Sequence, residues 1–181
     1  MTRNTTLAAL AATFLAALLM GGCPSGPETM ESKPDHGPKP KLNPREEIRI
    51  ASMKGREALR KGQKTEAVRW FTLVLSLDRK NYAAYTGRGQ ALFLMGRYTT
   101  CLSDFNRALT LNRGDYRIWG FRGQAKYMIN QSAEAIKDLN KAIAMRSTAG
   151  WLYETRAKAY DAIGQIDNAR RDRKKYQELG G

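Results

Sequence analysis

The sequence predicts an all-α fold: a solenoid of four stacked helix pairs, preceded by a leader and a proline-rich tether. Three observations carry this. First, the chain repeats every 34 residues: Gly55, Gly89, Gly123 and Ala157 align, and twelve residues on stand Ala67, Cys101, Ala135 and Ala169. Second, all six prolines fall between Pro24 and Pro44, so nothing interrupts helices from Ile48 onward. Third, a turn-forming residue recurs within each frame at Gly62, Gly96, Asn130 and Gly164. A fixed period of this length marks helix pairs that bury their apolar faces only by stacking.

Residues 1–22 read as an address rather than as part of the fold. Arg3 precedes an apolar run of fourteen residues, Leu7 to Met20, which suits a secretory leader and is too short for a spanning helix. The run ends in Leu19-Met20-Gly21-Gly22-Cys23, which resembles the lipobox of bacterial lipoproteins, with Met20 where Leu is usual. That resemblance implies lipidation of Cys23 as the mature N-terminus, with a palmitate-type acyl anchor in the membrane. A plain signal peptide or an uncleaved anchor are the alternatives. Pro24 stands where Asp signals inner-membrane retention in Gram-negative lipoproteins, so the resemblance further implies the outer membrane, facing the periplasm.

Residues 23–47 are expected to form the lipidated cysteine and a disordered tether. Pro, Gly, Ser, Lys and Glu dominate, and no apolar periodicity appears. Extended at roughly 3 Å per residue, the tether reaches on the order of 70 Å. The single histidine, His36, lies here without ligand-spaced companions, so no metal site is expected.

The array is assigned to residues 48–181, in frames 48–81, 82–115, 116–149 and 150–181. Each frame divides into a helix A over about the first fourteen positions and a helix B from about the eighteenth. Small residues at Gly55, Gly89 and Gly123 on helix A, and at Ala67, Cys101 and Ala135 on helix B, let the two axes approach closely. Bulky Phe71, Phe105, Tyr85 and Trp119 fill the spaces between. Cys101 thus reads as a buried small hydrophobe. In the last frame Arg170, Arg171, Arg173, Lys174 and Lys175 make helix B polar, either as the soluble cap of a terminal repeat or as a patch for anionic lipid or polymer.

These residues resemble the tetratricopeptide repeat (TPR). Frame two reads Tyr85, Gly89, Leu92, Gly96, Tyr98, Cys101, Phe105 and Ala108, and frame three Trp119, Gly123, Lys126, Ala135, Leu139 and Ala142. Two departures stand out. Lys54, Arg88, Arg122 or Arg156 precedes the glycine where the pattern has Leu, and Arg79, Arg113 and Ser147 replace the closing Pro. The second departure is expected to leave the joints between repeats looser or more helical.

The resemblance implies a concave groove lined by helix A. Frame positions 2, 5, 9, 12 and 13 should face it, and from them Arg56, Arg60, Gln90, Phe93, Gln124, Tyr127, Trp151 and Lys158 are the candidate partner-binding residues. Chaperone-binding members clamp a carboxylate with Lys and Asn where this chain has Ser52 and Arg56, so that clamp is not expected.

Formal charge is +14, and residues 48–181 hold 26 Lys and Arg against 12 Asp and Glu. The expectation is a membrane-anchored adaptor that holds a protein segment and helps assemble a cell-envelope complex. The pilus secretin, outer-membrane protein and wall-enzyme machineries are the options the resemblance offers. The alternative is a basic array that binds anionic lipid, lipopolysaccharide or a wall polymer. Export argues against nucleic acid as a partner. No Cys–His pair, phosphate loop or paired carboxylates point to catalysis, and no cofactor is expected.

Overall fold

The computed structural model describes residues 43–181; Cys23, His36 and the expected leader lie outside them. The described residues form eight α-helices: α1 (Pro44–Arg60), α2 (Lys64–Leu77), α3 (Tyr82–Leu94), α4 (Tyr98–Leu111), α5 (Tyr116–Met128), α6 (Ser132–Met145), α7 (Gly150–Ala162) and α8 (Ile166–Glu178). Odd-numbered helices are the A helices and even-numbered ones the B helices, so the four expected frames hold as four helix pairs.

The first helix starts four residues before Ile48, inside the stretch assigned to the tether. The reason is a complete start signal. Asn43 accepts a hydrogen bond from the Arg45 N–H at 3.0 Å, Pro44 takes the first helical position, and Glu46 and Glu47 occupy the first turn near the positive end of the helix dipole.

Within every repeat, A and B helices are joined by the same tight cap. Gly62, Gly96, Asn130 and Gly164 adopt φ between 62° and 76°. In each cap the next residue reaches back to the helix: Gln63 to the Ala58 carbonyl, Arg97 to Leu92, Gln131 to Lys126 and Gln165 to Tyr160, all at 2.9 Å. This is the Schellman arrangement, and the left-handed backbone explains why Gly or Asn stands there.

Between repeats, the missing proline does not leave a more helical joint. Asp78, Asn112 and Arg146 turn extended or near-extended and end the B helices. Asn81 then caps α3 by accepting from the Ala84 N–H at 3.0 Å, and Asp115 caps α5 by accepting from the Arg117 N–H at 3.0 Å. Side-chain caps thus start α3 and α5, whereas α7 starts after Ala149 with no side-chain cap.

Each helix packs on its chain neighbours, and successive A helices also touch: α1 on α3, α3 on α5 and α5 on α7. No B helix touches another B helix among the described residues. The array therefore curves with the A helices on its inner face. Its core is a row of wedges, one in each of the first three repeats. The Phe71 ring is pressed between Gly55 and Gly87, and Phe105 packs against Gly89, where an added Cβ would fall 2.7 Å from Cε1. Leu139 fills the same slot against Gly123, 2.9 Å from where a Cβ would stand. In the last repeat that slot holds the exposed Arg173, and only Ala169 and Asp172 of α8 are buried. The polar face of α8 thus closes the stack toward solvent.

Candidate binding groove

The inner face carries a cavity of about 350 Å³ where the first three A helices converge. Ser52, Arg56 and Leu59 of α1 form one wall, Ala83, Thr86, Gly87 and Gln90 of α3 the middle, and Arg117 and Phe121 of α5 the other wall. Phe71 reaches its floor because Gly87 has no side chain to cover the ring. Phe121 continues an aromatic ladder along the groove: its ring stacks on Phe105 at 6.0 Å and on Trp151 at 5.3 Å.

Charge in this cavity is uneven. Arg117 is held by Asp115 through bonds of 3.0 and 2.7 Å. Burial pushes the Asp115 carboxyl upward, but the Arg117 bonds outweigh it and leave the group below its ordinary range. Arg56 is exposed and has no carboxylate within ion-pair distance among the described residues. It is the unneutralised cation of the cavity, beside the Gln90 amide and an apolar floor.

The eight expected groove residues divide. Arg56 and Gln90 line the cavity. Trp151 joins the groove through its stack on Phe121. Arg60 is exposed in the last turn of α1, outside the cavity lining, and Gln124 is half-buried on α5. Phe93 and Tyr127 lie outside the cavity lining: Phe93 packs on Tyr98, with ring centroids 5.3 Å apart, and Tyr127 packs on the third core cluster. Lys158 stands at the far end, paired with Glu154 at 2.6 Å in a separate cleft with Arg173 and Tyr176. Position 6 of the frame, occupied by Gly87 and Phe121, escaped the sequence reading. It lies four residues after position 2 and three before position 9, so helical periodicity alone places it on the same stripe.

A second feature that the sequence did not reveal backs the groove. Each arginine before the repeat glycine grips a buried aspartate of its own B helix with two bonds. Arg88 holds Asp104 at 2.9 and 2.7 Å, Arg122 holds Asp138 at 2.7 and 2.8 Å, and Arg156 holds Asp172 at 2.7 and 2.7 Å. The same guanidinium reaches the preceding B helix: Arg88 to Thr72 at 3.5 Å, Arg122 to Asn106 at 2.9 Å and Arg156 to Asn140 at 2.6 Å. It also lies over the aromatic three residues earlier, Tyr85, Trp119 or Tyr153. The Asp104 hydrogen bonds raise Arg88 above its ordinary pKa; burial opposes the same rise in Arg156, and the Asp172 bonds prevail. In the first repeat the pair is replaced by Lys54 over the Trp70 ring, at 4.5 Å. An arginine where the repeat pattern has Leu is therefore a clamp between repeats. Three aspartates at the same frame position, Asp104, Asp138 and Asp172, were the signal for it.

Cys101 is fully buried, as its small-residue slot implies, and burial pushes its thiol up to about 12. No cluster of metal-ligating side chains occurs among the described residues. None of the described helices is long and apolar enough to cross a membrane.

Comparison with known proteins agrees with this architecture. Residues 48–81 and 82–115 match the tetratricopeptide-repeat family, with the same boundaries as the first two frames. Among solved structures, MamA from Desulfovibrio magneticus RS-1 superposes with a TM-score of 0.67 at 20% identity, covering 74% of this chain and 76% of that one. Another MamA crystal structure gives 0.66 at 23% identity, over 74% and 73% of the two chains. The first TPR domain of human RPAP3 gives 0.64 at 24% identity, over 70% of this chain and 98% of that domain. No curated protein sequence matches the chain.

Proposed function

We propose that this TPR array is an adaptor that holds a segment of a partner protein in its concave groove, tethered to a bacterial envelope membrane through acylated Cys23. Its fold is that of a protein–protein interaction scaffold. The observation that carries the groove reading is the cavity between α1, α3 and α5. It offers an unneutralised guanidinium, an amide for main-chain hydrogen bonds and an aromatic floor, the combination that anchors a peptide side chain and orients its backbone. The anchor reading rests on the Gly21-Gly22-Cys23 junction, and Pro24 after the cysteine favours the outer membrane and a periplasmic partner. Pilus secretin, outer-membrane protein and wall-enzyme assembly are the envelope tasks that such an adaptor fits.

A photo-crosslinker placed at Ser52 on the cavity wall tests the groove. Crosslinking in membranes should yield one defined partner segment. The yield should fall at least about tenfold in Arg56→Glu/Phe121→Ala, because a charge reversal and a lost aromatic contact each remove about 1–2 kcal/mol or more. Unchanged yield would overturn the groove reading. Labelled palmitate should enter the wild type and not Cys23→Ser; equal labelling would overturn the anchor.

A further inference from the structure

On the opposite side from the groove, the seam between the second and third repeats holds a cavity of about 420 Å³, lined by Asn106, Leu109, Thr110, Arg113, Trp119, Arg122 and Lys141. No carboxylate belongs to this lining. Arg122 is satisfied by Asp138, but Arg113 and Lys141 are exposed and have no carboxylate within ion-pair distance among the described residues. Trp119 sets their positions: its Nε1–H donates to the Arg113 carbonyl at 3.0 Å, and the Lys141 ammonium lies 4.4 Å from the ring centroid.

Two neutral groups complete the cavity. The Asn106 carbonyl oxygen accepts from Arg122 at 2.9 Å, which leaves its NH2 group to donate. The Thr110 hydroxyl donates to the Arg107 carbonyl at 2.7 Å, which leaves its oxygen to accept. Two unneutralised cations, one free donor and one free acceptor thus share one notch. An oxyanion answers the cations, and a hydroxyl, which both donates and accepts, answers the neutral pair. The charges recur 34 residues earlier, where Arg79 and Arg107 are likewise exposed and unpaired among the described residues, with the hydroxyls of Thr72 and Ser76 at the neutral positions. They stop at the last seam, where Ser147 replaces the arginine and Lys175 pairs with Glu178 at 3.0 Å.

We propose that these seams form a second binding surface, for a linear acidic glycan whose carboxylate or phosphate groups meet Arg113 and Lys141 while adjacent sugar hydroxyls meet Asn106 and Thr110. The surface is independent of the groove, since none of its residues lines the inner cavity. The test titrates the full-length protein with polygalacturonate, with poly-L-glutamate of matched charge, and with vesicles containing phosphatidylglycerol, at fixed salt. Polygalacturonate should bind about tenfold or more tighter than polyglutamate. Arg113→Gln/Lys141→Gln should weaken it by a further tenfold or more, as loss of charge-assisted contacts requires. Thr110→Val should reduce the preference for the glycan about threefold and leave polyglutamate binding unchanged. Thermal melts of the variants confirm that these exposed substitutions leave the fold intact. Equal affinity for the two polymers, stronger binding to the vesicles, or no effect of the double variant would each overturn the proposal.

Discussion

Replacing Asp138 with alanine is the sharpest test of the arginine–aspartate pair at the heart of the clamp. The Asp138 side chain is 5% exposed and receives Arg122 at 2.7 Å and Lys126 at 2.8 Å, whose own side chains are 17% and 20% exposed. Asp138→Ala leaves two sheltered cations facing each other with no counter-charge. Removing one partner of a buried pair costs about 3–5 kcal/mol. Here the residual exposure lets both cations regain some hydration, so the lower end, about 3 kcal/mol, is expected. Replacing the whole pair, Arg122→Leu/Asp138→Leu, removes the guanidinium and the carboxylate together and lets Lys126 extend toward water. Such apolar exchanges are near neutral, so a cost under about 1 kcal/mol is expected. Urea unfolding followed by ellipticity at 222 nm measures both. A loss below about 1 kcal/mol in Asp138→Ala, or a double variant as unstable as the single one, would refute the reasoning.

Two other outcomes follow from the core. Gly87→Ala sets a Cβ 2.6 Å from Phe71 Cε2, and Gly55 blocks the ring on its other side, so a loss of about 1–3 kcal/mol in the same urea assay is expected; a neutral variant would show that the wedge has room to move. Cys101, raised from 9.0 to about 12, stays a neutral thiol when folded, whereas the unfolded chain ionises above about pH 9. Its contribution is therefore fully present below pH 9 and is lost as pH rises from 9 toward 12. Correspondingly, iodoacetamide at pH 8 should leave Cys101 unmodified in the native protein and label it in urea, as peptide mapping would show.

The helix pairs were legible because stacking forces a rigid period: once Gly55, Gly89 and Gly123 align, the wedge residues and the turn glycines follow at fixed offsets. The start of α1 was missed although Asn43, Pro44, Glu46 and Glu47 spell it out, because a Pro-rich composition was extended over a local capping signal. Phe93 and Tyr127 were assigned to the groove by helix-face counting. They sit near the ends of A helices, beyond the cavity lining, where Phe93 meets Tyr98 of the neighbouring B helix and Tyr127 the third core cluster. The clamp was visible only as half of itself. Arg88, Arg122 and Arg156 stood out against the repeat pattern, but their partners lie sixteen residues away, a separation that no single-helix periodicity links. Phe121 required knowing that Gly87, at its frame position, is empty: a cavity is made by what one repeat lacks and the next supplies.

The reach of each arginine to the repeat before it shortens along the chain, from 3.5 Å at Thr72 to 2.9 Å at Asn106 and 2.6 Å at Asn140. The couplings along the array are thus unequal. A pull entering at Asn43 loads the first pair of helices, where no aspartate is gripped and the onward grip is slackest, before it reaches the tighter couplings behind. Under tension α1 and α2 should peel away first and leave three coupled repeats standing, an order that pulling the molecule from its two ends would reveal.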